Sequence, residues 1–320
     1  MDISRLLHTE TSRIEWKSSI DPKELYQEVS PYPVPPVVKV DGVAWIRRGT
    51  TTCRATEADL RRLYERRPEQ SRPFDIRALP EAALDDLDRA LLNDRFSAER
   101  GADGDQDSFP DFEAWLTQQE LGRASEGAWR PNAAALLVYG IDPQTYFPGA
   151  VVEFVRYAGD DVDSNVIERR TASGSLANQI NILYLQSAAH IGETPASDDG
   201  PRSPFLYDYP LDVLKELIRN MVQHRSYDAS RAPGRMEWYR DRIEFSNPGG
   251  PYGRASDGEF GDHSDYRNPS ITRLLAAEGY VERLGRGIRR ARLQLERNGN
   301  PPLQVETDGF TRVVVRRRPR

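Results

Sequence analysis

The strongest helical pattern in the chain follows Pro210, in the run LDVLKELIRNMVQH. Its apolar residues recur every three or four positions, so they fall on one arc of a helix. They are Val213, Leu214, Leu217, Ile218, Met221 and Val222. Glu216, Asn220 and His224 are spaced four residues apart and form a row along one edge of that arc. The pattern therefore predicts a helix that packs into a core and holds a carboxylate, a carboxamide and an imidazole in line.

This row of side chains has a chemical use and a structural alternative. A carboxylate, a carboxamide and an imidazole can together activate water, hold a hydrated Mg²⁺ ion and position phosphate oxygens. Alternatively, Glu216 pairs with Arg219 or Arg240, and Asn220 caps a neighbouring loop. The spacing alone leaves both interpretations open.

Two strands and a glycine turn follow the helix. RMEWYR and RIEFS alternate like half-buried strands, with DR at the turn between them, which predicts a β-hairpin. Asn247, Pro248, Gly249 and Gly250 end the second strand, and glycine there lets the backbone approach a ligand closely.

A second glycine turn lies nearer the C-terminus. Gly285, Arg286 and Gly287 precede a helix that is predicted to begin near Ile288. Backbone amides at such a helix N-terminus suit phosphate. The polar row and the two glycine turns together point to a nucleotide site more strongly than any one of them alone.

The segments upstream predict a mixture of helices and strands. AAALLVYG and AVVEFVRYAG are short apolar runs that predict buried strands. Residues 175–191 predict a helix whose inward side chains are Leu176, Ile180, Leu183 and Leu185. Residues 80–96 and 109–121 predict two more helices, and Thr56 predicts the cap of a helix in ATEADLRRL.

Several segments carry a family resemblance. LKELIRNMVQHRSY, DRIEFSNPGG, RNPSI and VERLGRGI, in that order, resemble the divergent ATP-binding module of the GHKL (Bergerat-fold) class. In bacterial proteins described as transcriptional regulators or helicase relatives, that module follows a Schlafen/AlbA-type DNA-binding domain. HTETSRIEWKSS, with Glu10, Glu15 and Lys17, and WIRRGTTTCRATEADLRRL resemble the N-terminal domain, and PNAAALLVYG and SGSLANQI resemble the middle of the architecture.

The resemblance implies an α+β fold in three parts. A small α+β Schlafen/AlbA-like domain would occupy residues 1–70, and a helical connector would occupy residues 71–130. Residues 131–320 would form a Bergerat-like α/β sandwich, with a mixed sheet and helices on one face. Only 27 residues separate Lys17 from Trp45, fewer than in the family, so we expect the first domain to be shortened.

The resemblance also implies roles for the helix row, with ATP and Mg²⁺ as cofactors. Glu216 would be the general base that orients water, and Asn220 would be the Mg²⁺ ligand. His224 and Arg225 would be structural or would lie beside the phosphates. The residues that would line the base are Asn247, Gly249 and Gly250. The residues that would lie near the phosphates are Gly285, Arg286 and Gly287.

Two positions depart from the family pattern. Ser226 stands where the family usually has the Asp of HRDY. Ordinary GHKL ATPases read the adenine amino group with an Asp in a DxGxG turn, whereas this chain has Asn247 in NPGG. We therefore expect weaker selection of adenine.

The resemblance favours a nucleotide-binding regulatory protein, with Mg²⁺-dependent ATP hydrolysis coupled to transcription or DNA transactions. One alternative is a DNA-binding regulator with an inactive ATPase fold. It draws on the net charge of +6 from Leu211 onward, against −12 before it, and on the terminal arginines. These are Arg316, Arg317, Arg318 and Arg320. The other alternative is a metal-dependent nuclease that uses Glu10 and Glu15.

The remaining expectations come from composition. Cys53 is the single cysteine among 320 residues, which excludes an internal disulfide and a CxxC metal site. The longest apolar run is far shorter than the roughly 18 residues that a membrane-spanning helix needs, and the first residues contain no signal-peptide pattern. We expect a cytoplasmic protein whose partners are an adenine nucleotide, DNA and a second copy of the chain.

Overall fold

The computed structural model describes most of the chain from residue 39 onward. The described ranges are 39–40, 43–48, 51–57, 59–60, 73–102, 108–125, 127–195, 205–228, 231–256, 260–261, 265–282, 285–307 and 309–319. The chain divides into two compact units, Met1–Pro73 and Phe74–Arg320. Glu10, Glu15, Lys17 and Arg320 lie outside the described residues, and the three-part division at residues 70 and 130 stays a prediction.

The first unit contains a small antiparallel sheet followed by a capped turn. Its strands are β1 (Lys39–Val40), β2 (Val43–Arg48) and β3 (Thr51–Arg54), in that order across the sheet. After β3, the Asp59 backbone N–H donates to Thr56 Oγ1 at 3.3 Å, and the Thr56 N–H donates to Asp59 Oδ2 at 2.8 Å. This reciprocal pair is a capping box, so the prediction of Thr56 as a helix cap is confirmed.

The second unit is built around a six-stranded mixed sheet. The described strands of the whole unit, in chain order, are β4 (Gly122–Ser125), β5 (Ala128–Pro131), β6 (Val152–Tyr157), β7 (Val166–Ala172), β8 (Glu193–Pro195), β9 (Phe205–Tyr207), β10 (Gly234–Trp238), β11 (Arg242–Pro248), β12 (Gln304–Thr307) and β13 (Phe310–Arg316). The large sheet has the order β12-β13-β11-β10-β6-β7, while β4 pairs with β5 and β8 pairs with β9. Within the described strands of the large sheet, β6 and β10 are parallel and the other neighbours are antiparallel.

Seven helices have both ends within the described residues, and all seven lie in the second unit. In chain order they are α1 (Arg89–Ala102), α2 (Phe112–Gln118), α3 (Ala133–Tyr139), α4 (Leu176–His190), α5 (Leu211–His224), α6 (Pro269–Ala277) and α7 (Gly287–Asn298). Helix α4 contacts β7, α5 contacts β11, and α5 lies between α4 and α7. The helices and the mixed sheet confirm the predicted α+β fold class.

The sheet has one apolar face and one charged face. Phe154, Met236, Phe245 and Val313 are paired across four neighbouring strands, and each is at most 5% exposed. Because side chains alternate along a strand, their neighbours point the other way. There Glu244 accepts hydrogen bonds from Arg242 at 2.6 Å and from Arg312 at 2.6 Å. The apolar face and the apolar arc of α5 therefore belong to one core.

Most of the predicted elements are confirmed, including β6, the β10–β11 hairpin, α4, α5, and α7, which begins one residue before Ile288. The strand prediction for AAALLVYG is wrong, because this segment is the buried helix α3. Asn132 Oδ1 caps it by accepting from the Ala135 N–H at 2.9 Å. A fully buried run shows no periodicity that separates a helix from a strand.

Two smaller predictions also need correction. Leu185 is 63% exposed, so it does not face the core with the other apolar residues of α4. The helix predicted for residues 80–96 begins only at Arg89, because a short 3₁₀ turn precedes it at Leu84–Asp86. Asp86 Oδ2 accepts from the Ala83 N–H at 2.7 Å and stabilises that turn.

Candidate functional site

The edge of α5 that carries the polar row faces a cleft, and the end of this helix is fixed by hydrogen bonds. Asn268 Nδ2 donates to the carbonyls of Gln223 at 3.0 Å and Arg225 at 2.8 Å. The Ser226 N–H donates to the Pro248 carbonyl at 2.9 Å. The last turn of α5 is thereby joined to the end of β11, which sets the distance between the helix row and the glycine turn.

The cleft has a floor and three sides, and the space between them, which includes open solvent at the mouth, amounts to about 830 Å³. The floor is α5, through Glu216, Asn220, Gln223 and His224. One side consists of Asn247 at the end of β11 and Thr311 in β13. The second side is the segment after β11, through Gly250, Pro251, Tyr252, Ala255, Phe260, Gly261 and Tyr266. The third side is the start of α7 and the residues before it, through Glu282, Gly285, Gly287 and Ile288.

Glu216 faces the cleft as a carboxylate without a partner in the described part of the chain. Arg240 pairs with Asp160 instead, and Arg219 forms no ion pair with Glu216. Burial raises the pKa of the Glu216 carboxyl, although the positive charges of Arg219 and Arg290 lower it in part. Glu216 therefore does not form the salt bridge with Arg219 or Arg240 that the sequence left open.

Gly287 lies directly against the Glu216 carboxylate. A β-carbon built at position 287 would overlap Glu216 Oε1. Only glycine allows the N-terminus of α7 to approach the helix row this closely, which gives the predicted glycine turn a physical reason.

Asn220 lies one turn from Glu216 on the same edge of α5 and also faces the cleft. Its amide makes no hydrogen bond with any residue that the structure describes, so it does not cap a loop. The residue that does hold neighbouring carbonyls is Asn268. Asn220 is therefore available to a ligand.

His224 closes the other end of the row. Its ring stacks on the Tyr266 ring, with centroids 5.7 Å apart and planes inclined by 13°. Burial lowers the pKa of the His224 imidazole to about 4, and the nearby positive charge of Arg267 acts in the same direction. The imidazole is therefore neutral at pH 7 and does not act as a cation toward phosphate.

Three residues named from the sequence do not line the cleft. Gly249 lies behind it, with φ of 99° and with Ser226 where a side chain would point. Arg286 is exposed just before α7. Arg225 is 1% exposed and donates to the carbonyls of Val151, Gly149 and Ala232, so of its two predicted roles it has the structural one.

Sequence reasoning missed several cleft residues, of which Gln223 and Thr311 matter most. Gln223 follows Asn220 by three positions, so helical spacing could have identified it. Thr311 lies opposite Asn247 in the β11–β13 ladder, but 64 positions separate the two residues in the chain. No local signal in the sequence predicts that pairing.

The cleft has two chemically different ends. His224 lies eight positions after Glu216 on α5, which spans about 12 Å at 1.5 Å per residue. The Glu216 end has a carboxylate, a free amide and a glycine-bearing helix N-terminus, groups that suit phosphate and a hydrated cation. The His224 end has amides, a hydroxyl and stacked rings, groups that suit a planar base. No cluster of three His, Cys, Asp or Glu residues with metal-site geometry occurs in the described ranges.

Comparisons with known proteins concern the C-terminal part and the fold. Residues 233–315 match the family described as "Putative ATP-dependent DNA helicase recG C-terminal". The match includes β10 to β13, α6 and α7 but begins after α5. The C-terminal domain is therefore ATPase-like, while the helix with Glu216 and Asn220 lies outside the matched segment.

The fold is similar to that of the crystallised DIP2311 protein from Corynebacterium diphtheriae, with a TM-score of 0.56 and 17% sequence identity. The alignment covers 87% of this chain and 54% of that protein, so the chain spans about half the length of that relative. No curated protein matches the sequence. Among the described residues, none of the helices is long and apolar enough to cross a membrane.

Proposed function

We propose that this chain is a regulatory protein that binds an adenine nucleotide with Mg²⁺ in the cleft and hydrolyses ATP there. The observation that carries the proposal is the pair Glu216 and Asn220, which has no partner among the described residues and lies next to the glycine-bearing start of α7. A carboxylate and an amide that face an open cleft without internal partners can exchange water for a ligand. The ATPase-like C-terminal domain supports the same assignment.

Different residues of the cleft serve binding and hydrolysis. Asn220 contributes an oxygen ligand to the cation, and the N–H groups at the start of α7 donate to phosphate oxygens. Bound Mg²⁺ supplies positive charge that offsets the charge of the phosphates. Glu216 accepts a proton from water positioned at the terminal phosphate, and its raised pKa favours this because a base works best when its pKa approaches the working pH.

The test is calorimetric titration of the full chain with adenylyl-imidodiphosphate, with and without Mg²⁺. We expect Asn220→Ala to weaken binding in Mg²⁺ by about tenfold or more, since one lost ligand interaction of about 1.4 kcal/mol is a factor of ten. Asn93→Ala, an exposed change on α1, is the matched control and should leave binding unchanged. Absence of adenine nucleotide binding at millimolar concentration would overturn the proposal.

Hydrolysis has its own test, because binding and turnover can separate. We expect Glu216→Gln to keep the affinity for the analogue within a few-fold and to lower phosphate release from ATP by about a hundredfold or more, the scale of a lost general base. Asp212→Asn, an exposed change on the same helix, should keep the wild-type rate. Equal turnover in Glu216→Gln and the wild type would remove Glu216 from the catalytic role.

A role in transcription or DNA transactions depends on residues other than those of the cleft. Two of the four arginines that motivated the DNA-binding alternative have partners within the chain, since Arg316 pairs with Asp241 at 3.3 Å and Arg317 pairs with Asp208 at 2.6 Å. The nuclease alternative rests on Glu10 and Glu15, which lie outside the described residues. The proposal therefore rests on nucleotide binding and not on binding of nucleic acid.

A further inference from the structure

We infer that the ion pair between Glu282 and Arg290 is a switch, in which the terminal phosphate of a nucleotide takes the place of the Glu282 carboxylate on the Arg290 guanidinium. The inference rests on the proposed function, because it concerns the regulation of the same site. It assigns to α7 the cation that contacts the terminal phosphate, and to Glu282 the role of a carboxylate that competes for this cation.

Arg290 belongs to the part of α7 that lies against the helix row. Gly287, three positions earlier and on the same face of α7, is so close to Glu216 that a β-carbon at position 287 would overlap Oε1. Helical side chains lean toward the N-terminus of their helix, so the long side chain of Arg290 extends toward this contact. Burial raises the pKa of the Glu216 carboxyl, and the charges of Arg219 and Arg290 oppose that rise. The Arg290 guanidinium therefore lies within electrostatic reach of the phosphate end.

Glu282, the partner of Arg290, lines the cleft itself. Arg290 Nη2 donates to Glu282 Oε2 at 2.6 Å, and Nη1 donates to Oε1 at 3.4 Å. The hydrogen bond from Arg290, together with its positive charge, lowers the pKa of the Glu282 carboxyl. An ionised carboxylate thus holds the guanidinium beside the cleft through both of its terminal nitrogens.

This ion pair can be exchanged for a phosphate. The side chains of Arg290 and Glu282 are 49% and 55% exposed, and exposed ion pairs contribute little to stability. A terminal phosphate carries more negative charge than a carboxylate, and its oxygens fit the same planar fork of N–H donors. A nucleoside diphosphate lacks this terminal group, so Glu282 keeps Arg290 when a diphosphate is bound.

Two other arginines could supply the positive charge at this end. Arg225 is 1% exposed and donates to backbone carbonyls, so it is already committed to the fold. Arg219 lies one turn after Glu216 on α5, and its charge acts on both Glu216 and Glu282. It forms no ion pair with either of them in the part of the chain that the structure describes, so it is not held by a competitor as Arg290 is. Arg219 is therefore included in the test.

The test compares ADP with adenylyl-imidodiphosphate, each with Mg²⁺, by calorimetric titration of the full chain. We expect the wild type to bind the triphosphate analogue at least about tenfold more tightly than ADP. Arg290→Ala should bring the ratio of the two affinities close to one and keep the affinity for ADP within a few-fold, which would show that the cleft is still folded. Arg297→Ala removes the same charge from an exposed position about 10 Å further along α7, and it should keep the wild-type ratio.

The switch is tested by the other half of the pair. Because Glu282 competes with the terminal phosphate, Glu282→Gln should raise the ratio by about two- to fivefold, the scale of an exposed ion pair. The double variant Glu282→Gln/Arg290→Ala should behave like Arg290→Ala, since the gain depends on the released guanidinium. An ion pair that only supports the structure would give losses of the same sign in both single variants.

The outcomes separate this inference from the proposed function. Equal affinity of the wild type for the two nucleotides would overturn the inference and leave nucleotide binding intact. It would also be overturned if the preference persisted in Arg290→Ala, or if Arg219→Ala alone removed it. A gain from Glu282→Gln that is as large in the Arg290→Ala background as in the wild type would show simple charge repulsion and no exchange. If neither nucleotide binds, the proposed function fails and the inference fails with it.

Discussion

At the scale of single residues, His224 shows how packing changes the chemistry that a sequence motif suggests. From the sequence, this histidine is either structural or close to phosphate. In the structure its ring stacks on Tyr266, and burial together with the charge of Arg267 lowers the pKa of the imidazole to about 4. The neutral ring gives this end of the cleft a flat aromatic surface instead of a positive charge.

This lowered pKa makes stability depend on pH. The unfolded chain takes up a proton at His224 near pH 6.5, whereas the folded chain resists it until about pH 4. The unfolded state therefore binds more protons between these values, and stability must fall as the pH falls through this window. We expect the free energy of unfolding of the wild type to drop by about 1–2 kcal/mol more than that of His224→Gln between pH 7 and pH 5.

Urea unfolding of both proteins at the two pH values measures this difference. Other groups that titrate in the window are common to the two proteins, so their contributions cancel in the comparison. An equal change with pH in the wild type and in His224→Gln would show that the imidazole is not held neutral by its surroundings.

At the scale of elements, the local sequence pattern predicts a helix or a strand correctly where the pattern lies within that one element. Helix α5, the β10–β11 hairpin and the start of α7 were predictable, because the periodicity of their apolar residues and their glycine turns can be seen within about fifteen residues of sequence. Helix α3 was not, since every one of its side chains is buried and its composition suits a strand equally well. Most cleft residues from α5 and the two glycine turns were also predictable, whereas Thr311 depends on a strand register that no local pattern encodes.

The start of α6 is another feature that the local sequence does not reveal. Its own N-cap residue, Asn268, makes no capping hydrogen bond with its side chain. Instead Asp75 Oδ2 accepts from the backbone N–H groups of Ser270 at 2.6 Å and Ile271 at 3.0 Å. A residue almost two hundred positions away thus caps the helix and ties the segment before α1 to it.

We expect Asp75→Ala to lower the free energy of unfolding by about 2 kcal/mol, because two buried N–H groups lose an acceptor. Asp75→Asn, which keeps an acceptor oxygen, should lose less. Asp111→Ala is a matched control, since Asp111 caps the exposed start of α2 by accepting from the Ala114 N–H at 2.8 Å, and it should cost about 1 kcal/mol or less. Chemical denaturation of the three variants decides the point, and equal losses in Asp75→Ala and Asp111→Ala would contradict it.

At the scale of the whole molecule, the cleft and the core of the second unit are made by the same elements. The floor, α5, also presents its apolar arc to the sheet, and the side residues Asn247 and Thr311 belong to the central strands β11 and β13. The start of α7 faces the cleft, while Ile288, Ala291 and Leu295 anchor the same helix in the core. A ligand in the cleft would therefore bridge elements that unfold together.

Because the cleft and the core share these elements, we expect a bound nucleotide to raise the Tm strongly. A nucleotide present at a hundred times its Kd stabilises the folded state by about 2.7 kcal/mol. For a unit of about 250 residues, each kcal/mol raises the Tm by about 2–4 °C, so adenylyl-imidodiphosphate with Mg²⁺ should raise the Tm of the second unit by about 5–10 °C in scanning calorimetry.

Gly287→Ala provides the structural control for that shift. Its β-carbon would collide with the Glu216 carboxylate, so the start of α7 must move away from the helix row and the phosphate end of the cleft loses its shape. We expect this variant to keep most of its Tm without ligand, because position 287 lies outside the apolar core, but to lose most of the nucleotide-induced rise. A full rise in Gly287→Ala would mean that the nucleotide stabilises the protein from a site other than this cleft.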